Sequence, residues 1–320
     1  MSRVAETSDA QAPILLTMGE PAGIGPEVAI AAFRSLEGHV GGHPLRLVGD
    51  PDVFRAVGAI SDDALWPTAE RAVHRNTGAD PANAKVVIAA IDEAVDAALS
   101  GRAAAIVTAP IHKASLRQAG FAYPGHTEYL AHLTGARRAV MMLAGGGLRV
   151  APLTIHLPLA EVPTAISKEL IVEVAEIVLA ALGRDFGIDR PRLAIAGLNP
   201  HAGEAGQIGR EEIDIVSPAA DLLRAKGNAV TGPLPADTMF HAEARARYDA
   251  ALCMYHDQAL IPLKTLAFWD GVNITLGLPI VRTSPDHGTA LDITGQGKAD
   301  PRSMIAAIRM AAAMADARRA

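Results

Sequence analysis

Hydrophobic positions along this 320-residue chain form short apolar runs that break into polar, glycine-rich turns and alternate with stretches of helical period. The run Ile14-Leu15-Leu16-Thr17-Met18 lacks in-and-out alternation, which predicts a strand buried on both faces. It leads through Gly19-Glu20-Pro21-Ala22-Gly23-Ile24-Gly25-Pro26 into a helix predicted over Glu27–Leu36. A helix from about Ala82 to Leu99, a strand at Ala104–Thr108 and a helix from about Lys113 to Ala119 repeat the theme. Apolar runs at Ala139–Leu143 and Leu148–Ile155 flank Gly145-Gly146-Gly147 and predict a hairpin. Ser167 is positioned to cap a long helix running to Leu182 and closed by Gly183. Short buried strands are expected at Leu193–Gly197 and Asp249–Met254, with a final alanine-rich helix from about Arg302 to Arg318. Strands alternating with helices imply a largely parallel sheet covered by helices, an α/β class.

Composition narrows the function classes. Apolar residues make up 50% of the chain, which excludes a disordered protein, and the length favours two domains. A net charge of −6 gives no basic footprint for nucleic acid or an anionic membrane. No apolar run reaches the ~18 residues of a membrane span. Met1–Gln11 has neither the basic start nor the apolar middle of a signal peptide and reads as a frayed tail. Cys253 is the single cysteine, so no intrachain disulfide forms and a metal site must draw on His, Asp or Glu. These features point to a cytoplasmic protein with a small-molecule partner.

The candidate chemistry gathers where strands run out. Of eleven histidines, His39, His43 and His74 stand in polar or turn-like surroundings and are expected to be solvated. Four others are expected at strand ends: His126 in Gly125-His126-Thr127-Glu128, His156 before Leu157-Pro158, His201 after Asn199-Pro200, and His256 in Tyr255-His256-Asp257-Gln258. Ligands of α/β proteins bind beyond the carboxyl ends of strands, and three imidazoles from separate strand ends are able to hold one divalent ion with a position left open. The residues alone leave that reading beside a plainer one, hydrogen-bonded loop histidines with Glu204 and Asp257 as orienting partners or turn formers. A second cluster comprises Lys264, Asn273 and Arg282, on either side of a predicted strand. Lys264 and Arg282 flank very apolar segments, where an unpaired charge is costly, so a bound anion is favoured over a solvated face. The run from Arg282 to Gly297 then sets Asp286, His287, Gly288, Thr289, Asp292, Gly295 and Gly297 just ahead of a helix. Glycines that admit close backbone approach, beside unpaired N–H groups, suit the pyrophosphate of a dinucleotide.

Together these segments resemble the 4-hydroxythreonine-4-phosphate dehydrogenase family of pyridoxal phosphate biosynthesis over nearly the whole chain after about residue 13. The resemblance rests on Gly19–Glu27, Thr108-Ala109-Pro110-Ile111-His112-Lys113, Gly125–Glu128, His156-Leu157-Pro158-Leu159, Gly197–Glu204, Gly232-Pro233-Leu234-Pro235-Ala236-Asp237-Thr238 and Met254–Gln258. The Gly-Ile-Gly-Pro-Glu start and the His-Gly-Thr-Ala loop are also similar to the isocitrate and isopropylmalate dehydrogenases. This implies the isocitrate/isopropylmalate-dehydrogenase-like fold: two α/β domains, about 1–135 plus 271–320 and 136–270, with the active site in the cleft between them. It implies a homodimer whose active site is shared between subunits. His156, His201 and His256 become the ligands of one divalent metal per site, Zn, Mg or Co. His126, Thr127, Lys264, Asn273 and Arg282 become contacts to a small phosphorylated hydroxy amino acid, and the loop binds NAD or NADP. Asp257 and Asp237 are candidate proton acceptors. Glu20 departs from the Asp more frequent in the family. Relatives that oxidise D-threonate or D-erythronate 4-phosphate, or aromatic cis-dihydrodiols, share the metal histidines. A metal-dependent hydrolase, an acyltransferase of the phosphate acetyltransferase type and a non-catalytic binding protein are the readings from other classes.

Overall fold

The structure, a computed structural model, describes residues 11–73 and 78–319. His74 and the N-terminal tail before Gln11 lie outside the described residues. The chain divides into two compact units, 1–124 with 280–315, and 125–279 with 316–320.

In the first unit, strand Ile14–Thr17 is buried at every position and lies in parallel between His43–Gly49 and Ala105–Thr108. Strand Arg282–Pro285 pairs in parallel with Ala105–Thr108, and Leu65–Pro67 with His43–Gly49. Such two-sided burial explains why these strands read as continuous aliphatic runs. Helix Gly25–Ser35 follows the first strand at once, with Pro26 in its first turn, where a missing N–H costs nothing. Gly25 is required there by close approach, since a Cβ would lie 2.5 Å from the Met18 carbonyl oxygen. The predicted helix at 82–99 begins as a 3₁₀ turn, Pro81–Asn83, and continues as Ala84–Leu99. His43 corrects the expectation of a solvated histidine. It is fully buried at the start of its strand, and its Nδ1 lies 2.7 Å from the Ala12 carbonyl oxygen. That tertiary partner makes burial of the ring tolerable.

In the second unit, Val140–Gly145 and Leu148–Thr154 form the expected antiparallel hairpin, joined through Gly146 and Gly147. Val272–Leu276 adds antiparallel to Val140–Gly145. On the other side Ala250–Tyr255 pairs in parallel with both Leu148–Thr154 and Arg192–Ala196, and Ala229–Leu234 follows in parallel with Arg192–Ala196. The division places helix His126–Thr134 and strand Val272–Leu276 with this unit, whereas boundaries at 135 and 270 assign them to the first. The ladder from Val272–Leu276 to Val140–Gly145 accounts for the strand's place. Leu143, Val150, Ala194, Ala251 and Cys253 form the core, closed by Ala259 and Leu263 of helix His256–Leu266.

The helix capped by Ser167 runs through Gly183 to Phe186 and ends at Gly187 in the left-handed conformation. The Gly187 and Ile188 N–H groups donate back to the Gly183 and Leu182 carbonyls, a Schellman-type closure. An interior glycine costs about 1 kcal/mol relative to alanine, and the last turn has partners that offset it. Arg149 stacks on Phe186 at 4.7 Å. Asp185, 1% exposed, accepts from Arg184 Nε at 2.6 Å and Arg318 Nε at 2.7 Å. The same arginines donate to the Leu278 and Pro279 carbonyls, so one carboxylate ties the helix end, the segment at 278–279 and the C-terminal residues together.

Burial alone would raise the Asp185 pKa, but the hydrogen bonds and charges of Arg184 and Arg318 outweigh it and hold the carboxyl below its ordinary value. A depressed folded pKa contributes stability that is complete above the unfolded value and lost as pH falls through the folded one. Asp185→Ala is therefore expected to cost about 3 kcal/mol at pH 7, the low end for breaking a buried pair. In urea melts the gap to the parent chain should narrow as pH falls below about 4; a gap independent of pH would show that the ion cluster is not its source.

Candidate active site

Three parallel strand ends of the second unit are stitched together by buried polar side chains. Thr154 Oγ1 donates to the Met254 carbonyl at 2.8 Å, joining the ends of Leu148–Thr154 and Ala250–Tyr255. Gln258, in the first turn of helix His256–Leu266, accepts from Met254 N–H at 2.6 Å and donates from Nε2 to the Gly197 carbonyl at 2.7 Å. That second bond reaches the end of strand Arg192–Ala196. His156 and His256 emerge beside each other from this seam, with ring centres 6.0 Å apart and planes at 37°. His156 holds a left-handed backbone, φ 53°, unusual for a side-chain-bearing residue. His256 Nδ1 is 2.7 Å from Asp257 Oδ1, a contact that orients the ring. Both histidines line a cavity of about 280 Å³ with Thr154, Leu157, Tyr255 and Asp257.

His201 is placed differently. Residues 201–205 form a turn of left-handed helix, with φ between 45° and 79°. For the side-chain-bearing members this costs roughly 1–2 kcal/mol each, so the surroundings must enforce it. Against this segment lies Glu212, 3% exposed at the start of a π-helical turn. It accepts from the Leu198 and Asn199 N–H groups and from Asn199 Nδ2. Among the described residues no three His, Cys, Asp or Glu side chains of one chain converge as a metal cage. The structure thus brings His156 and His256 together, and His201 does not line their cavity. Asp237 lies exposed in a 3₁₀ turn beyond strand Ala229–Leu234 and is not among the residues that line this cavity.

Of the expected anion contacts, His126 and Thr127 open helix His126–Thr134 after Gly125, a helix N-terminus and not a strand end as read from sequence. The turn at Pro124 and the extended Gly125 start a helix there with no strand before it. Lys264 lies in the last turn of helix His256–Leu266 with its ammonium 5.5 Å from the Phe268 ring, and Asn273 is half-buried in strand Val272–Leu276. Arg282 belongs to the first unit, at the start of strand Arg282–Pro285 and 4% exposed. Its Nη2 and Nε donate to Thr108 Oγ1 at 2.6 and 3.1 Å. Burial pushes its pKa down to about 10, which leaves it cationic at neutral pH.

The loop after Arg282–Pro285 docks on the glycine turn that opens the chain. Ile24 N–H donates to the Thr289 carbonyl at 2.9 Å, and Gly295 N–H to Glu27 Oε1 at 2.7 Å. A Cβ on Gly23 would stand 2.8 Å from the Thr289 oxygen, so only glycine permits this contact. Asp286 N–H donates to Ser303 Oγ, and Asp292 supplies its carbonyl to Gln296. Ala290 is left-handed, and His287 Nδ1 lies 3.0 Å from the Gly288 carbonyl oxygen. A cavity of about 650 Å³ opens here, lined by Gly23, Glu27, Val53, Thr294, Gly295 and Gly297. Glu20 is buried beneath the turn; burial raises its pKa, against a hydrogen bond from Ala22 N–H. Sequence reasoning passed over Glu27, Thr108, Glu212 and Gln258 as functional. Their roles depend on partners distant in the chain, and the one local signal is Gln258, a polar residue opening an otherwise apolar stretch.

The two α/β units, with polar residues gathered at strand ends, define a dehydrogenase-type fold of the isocitrate/isopropylmalate-dehydrogenase-like class. A solved structure of this kind, a terephthalate 1,2-cis-dihydrodiol dehydrogenase from Burkholderia xenovorans, aligns over 95% of this chain and 98% of its own, with TM-score 0.67 and 30% identity. A closer likeness follows with a 4-hydroxythreonine-4-phosphate dehydrogenase from Klebsiella pneumoniae: TM-score 0.84, 40% identity, 95% of this chain and 100% of that one. A 4-hydroxythreonine-4-phosphate dehydrogenase of Paracoccus denitrificans is 54% identical over 95% of this chain and 98% of its own length. The family model described as pyridoxal phosphate biosynthetic protein PdxA matches residues 56–311, and the chain belongs to that family.

Thr108→Val keeps the shape of the strand end but removes the hydroxyl that accepts from Arg282. It is expected to destabilise the protein by about 1–3 kcal/mol, the cost of a lost buried partner, measured by denaturant unfolding. A change within about 0.5 kcal/mol, the range of a neutral surface substitution, would show that Thr108 does not support the guanidinium.

Proposed function

We propose that the chain oxidises 4-phosphohydroxy-L-threonine to 2-amino-3-oxo-4-phosphooxybutanoate with NAD or NADP and a divalent metal, in pyridoxal phosphate biosynthesis. The carrying observation is the 54% identity, over nearly full length, to the Paracoccus dehydrogenase of that name. Family membership sets aside the hydrolase, acyltransferase and binding-protein readings. The dihydrodiol and sugar-acid alternatives have weaker support, since the likeness to the terephthalate enzyme stands at 30% identity.

The residues present fit a metal. Imidazoles bound at about 2.0–2.1 Å put two ring centres roughly 5–6 Å apart on one ion, and His156 and His256 stand 6.0 Å apart. Imidazole ligands suit zinc and cobalt, and magnesium is the third candidate. His201 is the third ligand in this reading, and its absence from the cavity lining is accounted for by a homodimer that shares the site between subunits. Ile261, Leu266, Phe268 and Trp269, each at least 43% exposed around the end of one helix, supply an apolar patch for a second copy to cover. The residues also fit a nicotinamide dinucleotide. His287 Nε2 is buried with no hydrogen-bond partner among the described residues, beside a loop whose glycines approach a cavity of suitable size. Lys298, a cation beside the loop, bonds to Gln296 Oε1 at 2.9 Å and is engaged there instead of awaiting a 2′-phosphate, which favours NAD.

A bound divalent metal supplies Lewis-acid polarisation of the substrate hydroxyl and of the carbonyl that replaces it. Arg282, Lys264, Asn273, His126 and Thr127 hold the phosphate and carboxylate, which fixes the reacting carbon for hydride transfer to the nicotinamide. Asp257 or Asp237 receives the hydroxyl proton. The product carries its carboxylate beta to the new carbonyl, so carbon dioxide leaves, a proton takes its place, and 3-amino-2-oxopropyl phosphate results. No described helix is long and apolar enough to cross a membrane.

His256→Ala is expected to lower kcat/KM by at least about 100-fold, and chelator should abolish turnover of the parent chain, because several kcal/mol of charge stabilisation go with the metal. Added Co²⁺ or Zn²⁺ should restore the parent and not the variant. Chelator-resistant turnover would overturn the metal assignment.

A further inference from the structure

We infer that Glu212 is a positioning residue for His201: its buried carboxylate holds segment 197–205 in the left-handed shape that presents the His201 imidazole to the metal. The inference rests on His201 being a metal ligand, as proposed above. Glu212 Oε1 accepts from Leu198 N–H at 2.8 Å and Asn199 N–H at 2.7 Å, and Oε2 accepts from Asn199 Nδ2 at 2.9 Å. Glu211 Oε2 takes the same side-chain amide at 2.7 Å, so two carboxylates grip Asn199 two residues before the histidine. The grip extends past it. A Cβ on Gly203 would lie 2.6 Å from Glu212 Oε2, and one on Gly197 would lie 3.2 Å from Oε1.

One carboxylate therefore fills the inside of the loop on both sides of His201. A carboxylate 3% exposed carries a desolvation cost that a surface position would avoid. Its described partners all belong to the segment that bears His201. That segment has His201, Ala202, Glu204 and Ala205 at positive φ, a run that L-residues abandon unless their surroundings over-determine it. Gln258 anchors the start of the segment from the other side, through the Gly197 carbonyl. Glu212 is thus to His201 what Asp257 is to His256, a carboxylate that fixes the ligand's orientation, acting here through the backbone.

The test titrates metal-free protein with Co²⁺ and follows the visible d–d absorption, with folding checked by circular dichroism. Glu212→Ala is expected to weaken Co²⁺ binding by about 10–100-fold, the range for groups that orient ligands. Glu212→Gln, which keeps an oxygen for the two backbone N–H groups, should weaken it by about fivefold or more, and it carries the test if the alanine variant does not fold. Adding Ala202→Gly and Ala205→Gly to the glutamine variant should recover affinity, because glycine takes up positive φ unaided; a general packing role would not be relieved this way. His201→Ala is the control. If His201→Ala weakens binding while both Glu212 variants match the parent within about twofold, the inference is overturned and the ligand assignment stands. If His201→Ala itself leaves Co²⁺ affinity unchanged, the ligand assignment fails and the inference with it.

Discussion

The pairing of His156 with His256 depends on a buried seam across neighbouring strand ends, and Gln258 is its centre. One amide side chain accepts from Met254 N–H and donates to the Gly197 carbonyl, while Thr154 bonds the Met254 carbonyl. Strand ends leave backbone groups without ladder partners, and burying such groups unpaired costs a few kcal/mol each. Satisfying them with side chains from adjacent elements removes that cost and fixes the relative heights of the loops that carry the histidines. Small residues in the strands below, Ala194, Ala196 and Ala251, let the core close tightly under the seam. The His156 and His256 imidazoles are therefore set beside each other by the seam beneath them.

The first unit solves a related problem with one backbone bond and one carboxylate. Its glycine turn and the loop after Arg282–Pro285 meet through the Ile24 N–H and the Thr289 carbonyl, and Glu27 reaches across to Gly295 N–H. Two segments far apart in sequence thus build one cavity wall from glycines and a single carboxylate. Arg282 enters at the base of the same strand, buried against Thr108.

Most of the strand and helix pattern was legible because the apolar runs are continuous and their turns are marked by glycine or proline. The hairpin at 140–154 and the helix capped by Ser167 follow from local chemistry. The misses share one cause. The helix passes Gly183 because Asp185 and Phe186 find partners at Arg318 and Arg149, and His43 is buried because its ring meets the Ala12 carbonyl. None of these three partners is visible from local pattern. The same holds for Glu212, whose tandem acidic setting reads as a solvated helix face until the loop it fills is seen. Family resemblance singled out His156, His201 and His256 together, but the left-handed path that carries His201 has no signature in the residues beyond Gly203.

The proposed function requires that this chain oxidise one particular phosphorylated hydroxy amino acid. The most direct measurement is absorbance at the reduced-nicotinamide band with purified protein, NAD and 4-phosphohydroxy-L-threonine, with D-threonate 4-phosphate in parallel. Reduction with the first substrate and not the second is the expected result. Turnover confined to D-threonate 4-phosphate would contradict the claim and move the chain's activity to the sugar-acid dehydrogenases.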